Sequence, residues 1–336
     1  MSAAAVRTVT TMKAIVQRTY GDAPEEVLAY AEVPRPTAVA GEVLVRVAAA
    51  SVDRGTWHVM SGVPYLMRLA GFGVRAPKAL NPGRAFAGTV EAVGPDVTGF
   101  APGDEVYGTT TGSFAEYVVA KPAKLAIMPT ALTFAEAATV PISGPTALQA
   151  VRDRGKVQAG QKVLVIGASG GVGTFAVQIA KAYGAEVTAV ASSSKLDVLR
   201  QIGADHVVDY TRDDVTSGPD RYDVILDIGG RTPLSRLRRV LTPKGRLVLV
   251  GGMSKGRLAG GMNRQLRAQL LSPLVGQKLG SFLASENAAD LAALRELIDA
   301  GSVAPVIDRA YELADAAAAL RHLLKGRVRG KLVITM

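Results

Sequence analysis

The sequence predicts an α/β protein in which a doubly wound parallel sheet is inserted between the two halves of a mainly β domain. Three observations carry that expectation. Lys162 to Tyr210 reads as strand, glycine-rich turn, helix and strand in succession. From about residue 133 to 300, helical segments alternate with short apolar strands, the pattern of a parallel sheet covered on both faces. The flanking regions read differently, as short strands punctuated by Pro and Gly, with a closing strand Lys331-Leu332-Val333-Ile334-Thr335.

In chain order, residues 1–11 are polar or Ala-rich and read as a flexible tail rather than a targeting signal. Residues 12–135 form the first part of the β domain, with strands such as Met12–Val16, Glu42–Val47, Gly88–Gly94 and Phe114–Val119. Residues 136–303 form the inserted domain, with strands at Val163–Ile166, Val187–Val190, His206–Val208, Val224–Asp227 and Leu247–Val250. Residues 304–336 complete the β domain. No internal repeat or low-complexity segment interrupts this order.

The turn Gly167-Ala168-Ser169-Gly170-Gly171-Val172-Gly173 sits between a buried strand and a helix that stops at Gly184. A helix start presents unpaired N–H groups and the positive end of a dipole. Gly170 and Gly171 give a pyrophosphate clearance to reach them, and Gly173 lets the helix pack close on the strand. An NAD site usually places a carboxylate at the end of the second strand, for the ribose hydroxyl. This chain has Ser192-Ser193-Ser194-Lys195 there instead. Hydroxyls and a lysine suit a 2′-phosphate, so the expected cofactor is NADPH; the same serines also suit the cap of the next helix.

Composition removes several chemistries. The chain of 336 residues has no cysteine, so disulfides, thiolate catalysis, iron–sulfur clusters and cysteine-held zinc are excluded. The three histidines, His58, His206 and His322, show no metal-ligand spacing, and no metal is expected. No apolar run is long enough to span a membrane and no secretory signal is seen, so a cytoplasmic location is expected. The net charge of +10 is uneven: Ile228 to Ser285 contains no Asp or Glu but many Arg and Lys. Such a patch attracts anions, or is a solvated basic face. With 5% aromatic residues and no recognition motif, nucleic acid is not the expected partner.

Several segments together resemble the medium-chain dehydrogenase/reductase superfamily, on its zinc-free, NADPH-dependent quinone oxidoreductase-like side. They are Met12–Val16, Pro82–Gly94, Pro102–Gly108, Gly112–Tyr117, Gly167–Gly173 and Gly203–Tyr210. The resemblance implies a GroES-like catalytic domain, a Rossmann domain and an active site in the cleft between them. Where zinc-dependent relatives place Cys, His and Cys, this chain has Asp53, Arg84 and Ser143. An Asp53–Arg84 ion pair across that position is one expectation, with both residues near the chemistry. The other is a solvent-facing Arg84, with Asp53 capping the helix from about Gly55 to Met60.

For the cofactor, the resemblance implies Thr146 near the nicotinamide and Ser169, Gly170, Gly171 and Val172 at the pyrophosphate. It places Ser192, Lys195 and Tyr210 around the 2′-phosphate. Gly252, Phe282, Leu283 and Lys331 would close over the nicotinamide end. It also implies a homodimer through edge pairing of the nucleotide sheets. Hydride transfer to an enone or quinone leaves an anion that needs hydrogen-bond donors and a proton. Tyr65 is the candidate donor, and Trp57, Tyr65 and Met67 are the candidate apolar wall of the substrate pocket; Tyr65 serves equally well as a packing residue. His58 reads as a partly exposed packing residue. The expected activity is reduction of an enone or quinone. Two alternatives stand beside it: a carbonyl or alcohol oxidoreductase on the same scaffold, and a non-catalytic NADPH sensor that binds RNA.

Overall fold

The computed structural model describes residues 10–251, 257–258 and 262–336. Six parallel strands form the inserted sheet: Lys162–Ile166, Glu186–Ala191, His206–Asp209, Tyr222–Asp227, Leu241–Leu249 and Lys278–Ser281. Numbered along the chain, their spatial order is 3-2-1-4-5-6. The order reverses between the first strand and the fourth, so a crevice opens above Ile166 and Asp227. Open α/β sheets bind ligands in such a crevice, outside the carboxyl ends of the strands.

The first strand is Val-Leu-Val-Ile after its lysine, branched residues that fit a sheet buried on both faces. The helix Gly171–Ala182 covers it and buries Phe175, Ala176, Val177, Ile179 and Ala180. Gly184 ends that helix in the left-handed region (φ +78), with its N–H donating to the Lys181 carbonyl at 2.8 Å.

The second large sheet runs Ile307–Glu312, Lys331–Thr335, Val43–Val52, Ala85–Val93, Glu105–Thr109, Leu125–Ile127, and Tyr117–Ala120 also pairs with Val43–Val52. Strands from both ends of the chain therefore share one sheet. The two units are packed together, not merely tethered. One buried cluster holds Ala49, Ala87, Tyr107 and Val333 from this sheet with Val165, Phe175 and Leu294 from the inserted unit. The Tyr107 hydroxyl donates to the Leu291 carbonyl at 2.6 Å across the same contact. The cleft is framed by this joint. Among the described residues, no helix is long and apolar enough to cross a membrane.

Candidate active site in the interdomain cleft

The glycine turn leads from the first strand into its helix. Gly167 adopts φ +82, and a β-carbon there would stand 2.8 Å from the Gly229 nitrogen of the neighbouring loop. At Gly173 a β-carbon would meet the Gly167 carbonyl oxygen at 2.3 Å, so the helix can approach the turn only with glycine there. Gly170 is different. It is the N-cap, with an ordinary extended backbone, and a β-carbon would find only the Gly167 oxygen at 3.6 Å. The protein's own packing does not require glycine at 170, so the bare face it leaves over the first helical turn is free for a ligand. No side chain caps that turn.

Across the turn lies the loop before the last strand. The Gly330 N–H donates to the Ser169 carbonyl at 2.8 Å, and Gly170 pairs with Gly330 as an isolated parallel bridge. Lys331 follows, and its side chain lies against Gly171: a β-carbon at 171 would be 2.7 Å from Lys331 Cδ and 3.1 Å from Ser143 Oγ. Lys331 Nζ is buried and has no hydrogen-bond partner among the described residues. Burial holds its pKa below the ordinary lysine value, while the Asp53 charge acts in the opposite direction. A buried ammonium without an acceptor is costly, and here it sits beside a helix N-terminus with an open face. A phosphate would satisfy both at once. The residues present therefore fit a dinucleotide.

Asp53 stands at the start of the helix Arg54–Ser61 and caps it: its Oδ1 accepts from the Thr56 N–H at 3.0 Å. Its Oδ2 is buried and unpartnered among the described residues. Arg84 does not pair with Asp53, which corrects that expectation. Arg84 Nη2 reaches Glu286 at 2.6 Å, and Lys124 approaches the other oxygen of Glu286 at 3.6 Å. Arg84 immediately precedes an inner strand of the β domain, Ala85–Val93, and Glu286 follows the last strand of the inserted sheet, so the pair fastens the two units. The partner was missed in the sequence, although it is the first acidic residue after the acid-free stretch 228–285.

The remaining expected residues divide between the two ends of the groove. Thr146 is half-buried, and its hydroxyl donates back to the Ile142 carbonyl at 2.7 Å. Val172 and Phe282 are half-buried against the main core, and the Arg154 guanidinium lies 5.5 Å from the Phe282 ring centre. Leu283 is 96% exposed. Gly252 lies outside the described residues.

At the other end, Ser192 makes no side-chain cap bond, and the Ser193 hydroxyl donates to Asp209. Asp209 also accepts from the Thr211 N–H at 3.0 Å, and these bonds hold its carboxyl below the usual range. Tyr210 is 60% exposed, its N–H bonded to the Ala191 carbonyl at 3.1 Å. Lys195 Nζ donates to the carbonyls of Gly326 at 3.1 Å and Val328 at 2.8 Å, both in the loop that carries Gly330 and Lys331.

Of the expected apolar wall, Trp57 lies on the helix Arg54–Ser61, and Tyr65 and Met67 lie on the segment that follows it. Trp57 packs on a core of Ile15, Met60 and Leu313, with its ring edge-on to His58. Tyr65 is 38% exposed, with guanidinium carbons of Arg68 and Arg257 at 4.7 and 5.9 Å from its ring centre. Its N–H donates to the Arg257 carbonyl at 2.8 Å, so the loop bearing Tyr65 and Met67 touches the inserted unit across the cleft mouth. His58 is buried, not partly exposed. Its Nδ1 meets the Val63 carbonyl at 2.6 Å and must donate, and burial lowers its pKa. At the crevice floor, the buried Asp227 pairs with Arg264 and accepts from the Gly230 N–H at 2.8 Å. This too was missed in the sequence, because thirty-odd residues separate the partners.

Comparison with known proteins agrees with this architecture. Residues 39–130 match the alcohol dehydrogenase GroES-like domain, and residues 202–334 match the zinc-binding dehydrogenase family. The NAD(P)H oxidoreductase RTN4IP1, mitochondrial, of Mus musculus is 33% identical over 329 residues, covering 88% of this chain and 82% of its own length. The chain belongs to the medium-chain dehydrogenase/reductase superfamily. Within that superfamily, the 2-methylene-furan-3-one reductase of Solanum lycopersicum is 31% identical over 308 residues, covering 87% of this chain and 71% of its own. The solved structure of the quinone oxidoreductase from Coxiella burnetii superposes with a TM-score of 0.82 at 28% identity, over 97% of this chain and 100% of that one. The fold is a GroES-like domain with a Rossmann domain, and the chain is an oxidoreductase of this superfamily with a nicotinamide cofactor.

Proposed function

We propose that the protein is a metal-independent, NADPH-dependent reductase of activated alkenes or quinones. The observation that supports this most is the pairing of an open Gly170 face with the buried, partnerless ammonium of Lys331 at one helix start. When bound, the cofactor supplies a hydride. Gly170 and the first-turn N–H groups would hold its pyrophosphate, and Lys331 would neutralise it. Ser143 and Asp53 line the adjoining floor, where metal-dependent relatives keep two of their ligands. With no cysteine in the chain, and Arg84 engaged by Glu286, that floor offers a polar wall rather than a metal seat. Hydride arriving at the β-carbon of an enone leaves negative charge on the carbonyl oxygen. A conjugated acceptor spreads that charge, which favours enones and quinones where no Lewis acid is held. Tyr65, at the cleft mouth, is the candidate to return the proton.

The protein is further proposed to be a homodimer. Lys278–Ser281 is an open edge of the parallel sheet. Beside it Leu266, Leu270 and Leu274 stand exposed at four-residue spacing, an apolar row that a second copy would cover.

The experiment is to follow NADPH absorbance with an enone, a quinone and a simple ketone, with and without a chelator. Turnover of the enone or quinone, little of the ketone, and no effect of chelator is the expected result. Preference for the ketone, or loss of activity with chelator, would replace this reading with a carbonyl or alcohol oxidoreductase.

A further inference from the structure

The loop Gly326–Lys331 belongs to the catalytic domain, yet it runs along the whole nucleotide groove. At one end its carbonyls hold Lys195, in the middle Gly330 holds Ser169, and at the far end Lys331 lies on Gly171. Exposure alternates along it: Arg327 and Arg329 are exposed, while Val328 and Gly330 are buried. Arg329 thus sits between the residue that binds Lys195 and the residue that binds the turn. Among the described residues Arg329 makes no ion pair.

A 2′-phosphate at the end of the second strand needs a cationic partner. Lys195 was the sequence's candidate, but two of its three N–H groups are spent on Gly326 and Val328. Asp209, paired with Ala191 at the end of the second strand, already accepts from the Ser193 hydroxyl and from the Thr211 N–H and hydroxyl. Both of its oxygens are engaged within the protein, which leaves it less available to the ribose hydroxyl that an NAD-selective site binds. The slot is left with one remaining Lys195 proton, the hydroxyls of Ser192 and the exposed Tyr210, and the guanidinium of Arg329 from the opposite domain. Arg329 is near enough to Lys195 for its charge to oppose the lysine's, burial being the larger influence and Asp308 a counterweight. Two cations held this close repel one another, and a phosphate bound between them would relieve that repulsion.

Resting on the NADPH reading, we propose that Arg329 binds the 2′-phosphate and, with Lys195 positioning its loop, sets the preference for NADPH over NADH. A guanidinium fork suits phosphate bidentately. Because Arg329 reaches over from the catalytic domain, phosphate binding would also draw the two units together at the adenosine end.

The test is calorimetric binding of NADPH, NADH, 2′,5′-ADP and 5′-AMP to the wild type and to Arg329→Gln. The exposed position keeps the variant folded, and the binding of 5′-AMP checks it. For Arg329→Gln, NADPH and 2′,5′-ADP are expected to weaken about tenfold to fiftyfold, with NADH and 5′-AMP changed less than about twofold. Equal weakening of phosphorylated and unphosphorylated ligands, or no weakening of either, would overturn the assignment while a wild-type preference for NADPH stood. A wild type that binds NADH as tightly as NADPH would overturn the cofactor reading itself, and this inference with it.

Discussion

Lys331 lies across Gly171, so close that a β-carbon on the glycine would stand 2.7 Å from the lysine Cδ. The contact joins the last strand of the catalytic domain to the first turn of the dinucleotide helix. It explains Gly171 by protein packing, not by ligand clearance. Gly171→Ala should therefore push Lys331 aside and act partly as a loss of that lysine. NADPH affinity is expected to fall about tenfold or more in Gly171→Ala and in Lys331→Met. The double variant should fall short of the sum by about 0.5–3 kcal/mol, since the two residues share one contact. Additive losses in calorimetric binding would show that the contact does not govern affinity.

Gly170 separates stability from binding. Its backbone is extended and its side-chain space is empty within the protein, so alanine fits the free enzyme. Alanine reduces the entropy of the unfolded chain but is a poorer N-cap than glycine, and these small effects oppose one another. Gly170→Ala should change stability by less than about 1 kcal/mol. The added methyl would stand where the pyrophosphate must approach, so NADPH affinity should drop more than about tenfold. Thermal melting and NADPH fluorescence titration on the same sample read the two effects. An alanine variant that binds normally would place the pyrophosphate elsewhere.

Arg84 and Glu286 fasten the two units at 2.6 Å, with Lys124 at 3.6 Å from the same carboxylate. Glu286 is largely buried, whereas Arg84 is about a third exposed, so solvent screens part of the attraction. Glu286→Gln keeps the volume and removes the charge. The expected cost is about 1 kcal/mol at low salt, shrinking as salt rises. Melting temperatures of wild type and variant should converge between low and high salt. A gap that stays constant with salt would make the contact one of packing alone.

The parts of this architecture that were legible in the sequence are those fixed by local rules. Val163–Ile166 had to be a buried strand because every residue is apolar and most are branched. Gly173 had to be small because a helix returns onto its own turn. What was not legible depended on which loops face one another. The Asp53–Arg84 pair was expected from two neighbouring motif positions, yet the nearer carboxylate for Arg84 is Glu286, some two hundred residues away. Asp53 meanwhile satisfied the helix start beside it, the local alternative. Lys195 was read as free charge because no periodicity reveals that Gly326 and Val328 present their carbonyls to it. The loop Gly326–Lys331 gave one signal in advance, an alternation of basic residues ending in Gly-Lys before a strand, but its course along the groove is tertiary.

The last prediction concerns protons. In the free protein, burial holds the Lys331 ammonium below its ordinary value of 10.5, with only the Asp53 charge opposing the shift. A pyrophosphate bound beside Nζ would favour the charged form and raise the pKa again. Between the lower free value and the higher bound value, the complex carries more protons than the free protein and cofactor together. Binding must then take up protons in that window, and affinity must rise as pH falls through it. The 2′-phosphate titrates near pH 6, so measurements from about pH 7 to 9.5 isolate the lysine. Calorimetry in two buffers of different ionisation enthalpy should report uptake of a fraction of a proton by the wild type and a smaller uptake by Lys331→Met. If the wild type takes up no proton, or if the methionine variant takes up the same amount, Lys331 does not meet the pyrophosphate and its burial beside Gly171 serves packing only.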